Sequence, residues 1–196
     1  MRRRRSNALY FLTHANVVID PEVPITDWGL SELGRARIQT GLKQLWLNDV
    51  TSLWSSTERK ALDTAEILSE HLGLGVRVLE DLGENDRSAT GYLPPEEFER
   101  TADRFFAEPD VPVRGWATAR KEQARIVAAS AAVAELDPAG VPLIVSHGAV
   151  GALLLAHRLG QPISRAFDQP RNGGGNWFRI AEGYLRWQSF DGAEPD

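Results

Sequence analysis

A strand that runs into a helix with almost no connecting loop narrows the architectures open to this chain. Residues 141–146 (Val-Pro-Leu-Ile-Val-Ser) form a short apolar run that reads as a buried strand. Residues 148–159 follow with a helical pattern too apolar to face water, and only His147 separates the two. Such a junction belongs to parallel sheets, where each crossover between neighbouring strands needs a helix.

The same alternation recurs along the sequence. Leu9–Leu12 reads as a strand, and Ser31 as the N-cap of a helix to about Trp46 with Leu33, Ile38, Leu42 and Leu45 on its apolar stripe. Thr51–Ser55 is a second strand, followed by a helix over Thr57–His71 that ends before Gly73. Val76–Leu79 is a third strand. Pro94 and Pro95 open a helix that buries Phe98, Phe105 and Phe106, and a long Ala-rich helix spans Thr118–Leu136. Trp177–Ile180 and Tyr184–Gln188 flank Glu182-Gly183 as a hairpin-like pair. The pattern predicts an α/β fold, a three-layer domain with a mostly parallel central sheet and helices on both faces. With 196 residues the expectation is one domain over 9–190, a basic leader over 1–8 and a short tail over 191–196.

Composition removes several function classes. The absence of cysteine excludes disulfides, a thiolate nucleophile and sulfur-ligated zinc. A net charge of −5 argues against a nucleic-acid surface, and the six tryptophans are scattered without a basic stripe, as packing residues are. No apolar run is long enough to span a bilayer. The Arg-rich start and Leu9–Leu12 imitate a secretion signal, but Thr13, His14 and Asn16 interrupt the run and no small-residue cleavage site follows. The leader reads as a solvated arm, a phosphate-seeking arm being the weaker alternative, and the expected location is cytoplasmic.

Of four histidines, His14 and His147 each follow a strand directly, at the sheet edge where α/β proteins bind ligands. His71 and His157 fall in the last turns of helices, where the helix dipole favours them structurally. The N–H groups of Gly148 and Ala149 open a helix beside His147, and Arg59 stands near the start of another. Two imidazoles, a guanidinium and helix N–H groups suit a phosphoryl group. A metal site of His14, His147 and a carboxylate is the weaker alternative, since no close ligand spacing accompanies it. Gly173-Gly174-Gly175 lacks the features of a phosphate-binding P-loop and reads as a loop before the hairpin.

These segments resemble the histidine phosphatase superfamily, the phosphoglycerate-mutase-like proteins. Thr13-His14-Ala15 corresponds to its Arg-His-Gly, with Trp28-Gly29-Leu30-Ser31-Glu32-Leu33-Gly34 as the downstream companion. Residues 55–66 (Ser-Ser-Thr-Glu-Arg-Lys-Ala-Leu-Asp-Thr-Ala-Glu) are similar to its Ser-Ser, Arg-Ala, Thr-Ala-Glu motif. Leu82-Gly83-Glu84 resembles its acid segment, and Val145-Ser146-His147-Gly148 its last motif unchanged. The resemblance implies a phosphatase that hydrolyses a phosphomonoester through a phosphohistidine on His14, with Arg59 and His147 holding the oxygens. Glu84 would be the general acid, Glu80, Asp81 and Asp86 being its nearby competitors. Thr13, Asn16, Arg59 and Gly148 are the expected substrate contacts, with no cofactor and no metal. A short chain favours hydrolysis over mutase chemistry.

The departures lie in the first motif. Thr13 replaces a charged clamp, and losing such a partner costs about 1.5–3 kcal/mol, a ten- to hundredfold effect. This motivates the alternative of a non-catalytic or weakly active phosphate-ligand-binding member of the same family. Arg87 offers a substitute cation, with a solvated loop charge as the plainer reading. Expected partners are a small phosphorylated substrate or phosphate, with no nucleic acid and no membrane; a homodimer stays open. The catalytic expectation requires His14, His147 and Arg59 to converge on one anion.

Overall fold

The structure, a computed structural model, describes residues 8–181 and 185–193. Most of the basic leader, the Glu182-Gly183 turn with Tyr184, and residues 194–196 lie outside the described residues. Six strands form one sheet: β1 (Leu9–Thr13), β2 (Ser52–Ser55), β3 (Val76–Val78), β4 (Pro142–Ser146), β5 (Asn176–Ile180) and β6 (Gln188–Ser189). Their order is β3-β2-β4-β1-β5-β6. The pairs β2–β3, β2–β4 and β1–β4 are parallel, whereas β5 and β6 join antiparallel at one edge. The fold is therefore α/β with a mostly parallel sheet.

The helices are α1 (Glu32–Gly41), α2 (Arg59–Leu72), α3 (Pro95–Ala107), α4 (Ala119–Leu136) and α5 (Gly148–Arg158). Their ends follow local chemistry. Ser31 caps α1 by accepting from the Gly34 N–H (3.1 Å), and Thr118 caps α4 through Lys121 (3.2 Å). Pro95 starts α3, and Gly73 ends α2 in the left-handed region at φ +65°. Two cores cover the two faces of the sheet. One joins Phe11, Ile144 and Phe178 to Phe105, Ile126 and Leu153 of α3, α4 and α5; the other joins Leu12, Leu53 and Val145 to Ile38 and Leu68 of α1 and α2. Period-2 alternation sends neighbouring strand residues to opposite cores. No helix among the described residues is long and apolar enough to cross a membrane.

Several boundaries differ from the sequence expectation. The first helix stops at Gly41 instead of Trp46, and a separate 3₁₀ turn covers Leu45–Asp49. Gly41 lies against the Phe190 ring, where an added Cβ would sit 2.1 Å from a ring carbon. Trp46 leaves the helical path to stack on Tyr10 (4.1 Å between ring centroids). Leu33 and Leu45, assigned to the buried stripe, are exposed. The last strand covers only Gln188–Ser189, paired with Trp177 and Asn176 of β5. Ala8, assigned to the leader, is buried, and Asp191, assigned to the tail, accepts a hydrogen bond from Arg37 (2.6 Å).

The Gly41 contact predicts that Gly41→Ala costs about 1–3 kcal/mol by overpacking against Phe190. Gly75→Ala, where an added Cβ meets nothing within 4 Å, leaves the urea midpoint unchanged or slightly raised. The two midpoints measured side by side check the difference.

Candidate active site

The parallel strands β1, β2 and β4 end at one edge of the sheet, and each hands a side chain to the same place. His14 follows β1, Ser56 follows β2 and His147 follows β4. The rings of His14 and His147 stand edge to face with centroids 5.2 Å apart. Strand adjacency enforces this meeting, because Thr13 pairs with Ser146 and the His14 N–H donates to the Ser146 carbonyl (3.1 Å).

His14 is presented in one tautomer. Its Nδ1 lies 2.8 Å from the Ala15 carbonyl, which can only accept, so Nδ1 carries the proton and Nε2 keeps the lone pair. Burial pushes its pKa down to about 4, opposed by the Ala15 hydrogen bond. At neutral pH the ring is therefore uncharged, with a lone pair available at Nε2. Gly173, Gly174 and Gly175 wrap over this segment with three successive positive φ angles of +82°, +86° and +68°. The Gly175 N–H donates to the His14 carbonyl (2.8 Å), and a Cβ on Gly174 would lie 2.2 Å from that oxygen. The glycine run is thus a brace for the main chain at His14.

Glu84 lies 65 and 66 residues from the helix that receives its carboxylate, which accepts from the N–H groups of Ala149 and Val150 (3.1 Å each). The helix N-terminus expected to hold the ligand's anion instead holds this acid. The Asn85 N–H donates to it as well (3.1 Å). Burial raises the Glu84 pKa, with the nearby Glu58 charge acting in the same direction. The Ser146 hydroxyl fixes the preceding turn by donating to the Leu82 carbonyl (2.7 Å).

His147 is fully buried, and burial holds its pKa well below the ordinary histidine value. Its Nε2 lies 2.8 Å from the Ser56 hydroxyl and 3.3 Å from Glu58 Oε1, while its Nδ1 is buried without a partner. With the Nε2 proton facing the carboxylate, Nδ1 becomes a donor only when the ring is protonated. Glu58 also accepts from the ammonium of Lys60 and from the Glu84 N–H (2.7 Å). Burial alone would raise the Glu58 pKa; His147, Lys60 and the Glu84 N–H outweigh it and hold it down to about 2.

The structure does not bring Arg59 into this cluster. Its side chain is 63% exposed, and its Nε donates to Asp63 (2.7 Å), which also accepts from Arg35 and from the Leu30 N–H. The cause is helical phase: Arg59 starts α2, and its i, i+4 partner Asp63 draws it toward α1. The buried cation is Lys60, 2% exposed. The motif itself carried that signal, since the residue before Ala61, in the place of the Arg-Ala arginine, is Lys60 and not Arg59.

Two other expected contacts also serve the framework. Thr13 is fully buried, donates to Gln169 (2.8 Å) and accepts from the Asn176 N–H (3.0 Å). Asn16 accepts from Arg37 (2.9 Å) and packs under Gly173. Neither lines a cavity at the site. Gly148 does, and a Cβ there would lie 2.4 Å from the Gln169 amide nitrogen. His14, Glu84, Asn85, Arg87 and Gln169 line the same cavity of about 400 Å³ together with Phe98 and Phe106 of α3. Lys60, Glu58, Ser56, Asn85 and Gln169 were not singled out by sequence; for Glu58, Ser56 and Gln169 the deciding contacts, with His147, Glu84 and Thr13, are long-range. No three histidine or carboxylate side chains among the described residues form a group that could hold a metal. His71 and His157 occupy the last turns of α2 and α5, as expected.

Residues 9–191 match the family model of the histidine phosphatase superfamily, branch 1. The chain belongs to this superfamily. No curated protein matches the sequence. Among solved structures, a mycobacterial protein described as hydrolase 1 has a TM-score of 0.72 at 26% identity, over 94% of this chain and 96% of that one. A mycobacterial glucosyl-3-phosphoglycerate phosphatase gives 0.74 at 22%, over 94% and 97%. An Entamoeba histolytica phosphoserine phosphatase gives 0.73 at 14%, over 92% and 93%. The phosphoglycerate-mutase-like fold of these neighbours is the fold of this chain.

The buried ionisable groups set an acid limit to stability. His14 and His147 titrate below their unfolded value near 6.5, and Glu58 below its unfolded value near 4.5. In each case the unfolded chain binds more protons, so stability is present above the unfolded pKa and falls as pH drops. Between about pH 6.5 and 4.5 the raised pKa of Glu84 opposes the two histidines, whereas from 4.5 towards 2 urea midpoints should decline through Glu58. A flat profile over that range contradicts the assigned environments.

Proposed function

We propose that this protein hydrolyses a phosphomonoester through a phosphohistidine on His14. The observation that carries the reading is the uncharged His14 ring, Nε2 free, in a cavity shared with a buried carboxyl group whose pKa is raised. In the first step Nε2 attacks phosphorus, the P–O bond to the alcohol breaks, and protonated Glu84 gives its proton to the leaving oxygen. In the second, Glu84 as carboxylate takes a proton from water, whose oxygen attacks phosphorus. The P–N bond breaks, releasing inorganic phosphate and returning the free imidazole. The superfamily membership and its phosphatase neighbours support the reaction class. Phe98, Ala102 and Phe106 give the alcohol portion an apolar wall. Arg59 takes no part in this scheme.

A second reading is favoured by one observation: the side chain in the place of the family's first-motif arginine, Thr13, is spent on Gln169 and Asn176. On this reading the loss of that charge leaves a phosphate-ligand binder with little or no turnover. Phosphate release from a panel of phosphomonoesters separates the two. Under the hydrolytic reading His14→Ala falls to background; equal background in both proteins, with phosphate binding retained, supports the binder.

Glu84→Gln should lower turnover of alkyl phosphates by about 10²–10⁴-fold. It should affect p-nitrophenyl phosphate far less, because that leaving group departs without a proton. The wild-type kcat/KM profile should rise through an acid limb near pH 4 as His14 loses its proton. It should fall again on an alkaline limb above the usual carboxylate range, as Glu84 ionises. An Ala variant of Glu84 that treats both substrate types alike would remove the acid from this role.

A further inference from the structure

A phosphoryl group entering beside His14 brings up to two negative charges into a site that is short of positive ones. The ammonium of Lys60 is committed to Glu58 and to the Ile25 carbonyl (2.8 Å), and Glu58 is itself ionised. That buried pair contributes no net charge. Arg165, on the cavity wall, is shared among Glu99, Asp103 and Asp168 (2.7–2.9 Å). Arg171 is paired with Glu99 (3.4 Å). Arg59 faces away, and both imidazoles are uncharged at neutral pH. Without a further cation the dianion would be held only by dipoles.

Arg87 is the guanidinium on this cavity wall with no carboxylate partner among the described residues. It sits three residues beyond Glu84, and its charge reaches His14, Glu84 and His147. Phe98 of α3 lies under it, with Cζ 5.3 Å from the ring centroid, which limits the directions the fork can take. Beside it, Asn85 is 5% exposed and lines the same cavity, yet its amide nitrogen has no hydrogen-bond partner. A buried amide N–H without an acceptor carries an uncompensated desolvation cost unless a ligand supplies one. A forked cation and an unsatisfied donor thus occur two residues apart in one loop, on the cavity that His14 also lines.

We propose that Arg87 and the Asn85 amide form the phosphoryl clamp of this site, supplied by the loop after the general acid instead of by β1. This rests on the reading of the cavity as a phosphoryl site. The clamp selects tetrahedral oxyanions with three free oxygens, one for each arm of the guanidinium and a third for the amide. It also couples the cation to the acid, because both belong to one short segment.

The test measures binding of inorganic phosphate and of vanadate by calorimetry, together with phosphate release, for wild type, Arg87→Ala, Arg87→Lys, Asn85→Ala and Phe98→Leu. Expected are a ten- to hundredfold weaker affinity for Arg87→Ala, partial recovery with lysine, and a smaller loss for Asn85→Ala. Phe98→Leu keeps the charge but frees the fork, so its loss should be smaller than that of Arg87→Ala, which separates lost packing from lost charge. Thermal melts confirm that each variant folds. Unchanged oxyanion affinity in folded Arg87→Ala, or no oxyanion binding by the wild type, overturns the clamp. Arg87-dependent binding without turnover in the wild type keeps the clamp and removes the hydrolytic reading; turnover indifferent to Arg87 does the reverse.

Discussion

Three loops that start from different strand ends meet at the carboxylate of Glu58. It takes the Lys60 ammonium from the first turn of α2, the Glu84 N–H from the acid loop, and the edge of His147 from the β4–α5 junction. A buried charge is tolerated only when its lone pairs are occupied, and here each partner is also a part of the site. The position of the acid and the resting state of the second histidine both depend on that one group. Its ionisation, maintained against burial, is also why Lys60 cannot serve as a free cation.

The arrangement separates two demands that a phosphoryl-transfer site usually meets together. Neutral, desolvated imidazole favours nucleophilic attack, whereas the anion needs positive charge close by. In this chain the floor of the site is electrically balanced: an ion pair, two uncharged rings and a carboxyl group whose pKa is raised. Positive potential is moved outward to the cavity wall. The helix N-terminus, which could have supplied some of it, is spent on orienting Glu84.

The layered α/β architecture was readable because strand and helix periodicities changed cleanly at Gly, Pro and Ser signals: Ser31, Gly73, Pro95 and Thr118 act where their chemistry predicts. The convergence of His14 and His147 was readable for the same reason, since both close parallel strands. What local pattern could not show was phase. Arg59 and Lys60 are neighbours in sequence, but one turn of helix assigns the first to Asp63 and the surface and the second to the interior. Nor could spacing reveal that Gln169 and Asn176, more than 150 residues away, occupy the side chain of Thr13. The end of α1 was misjudged because its last residue, Gly41, packs against Phe190, a contact from the far end of the chain that local pattern does not show.

The glycine brace over His14 has a bearing on how far a disturbance at the sheet edge travels. Phe190 donates its N–H to the Gly175 carbonyl (2.9 Å), and Gly175 donates in turn to the carbonyl of His14. A two-link hydrogen-bond relay therefore ties the residue after β6 to the histidine after β1. The His14 N–H is held separately by Ser146, so loosening the antiparallel edge would release one side of this main chain and leave the other anchored to the parallel strands.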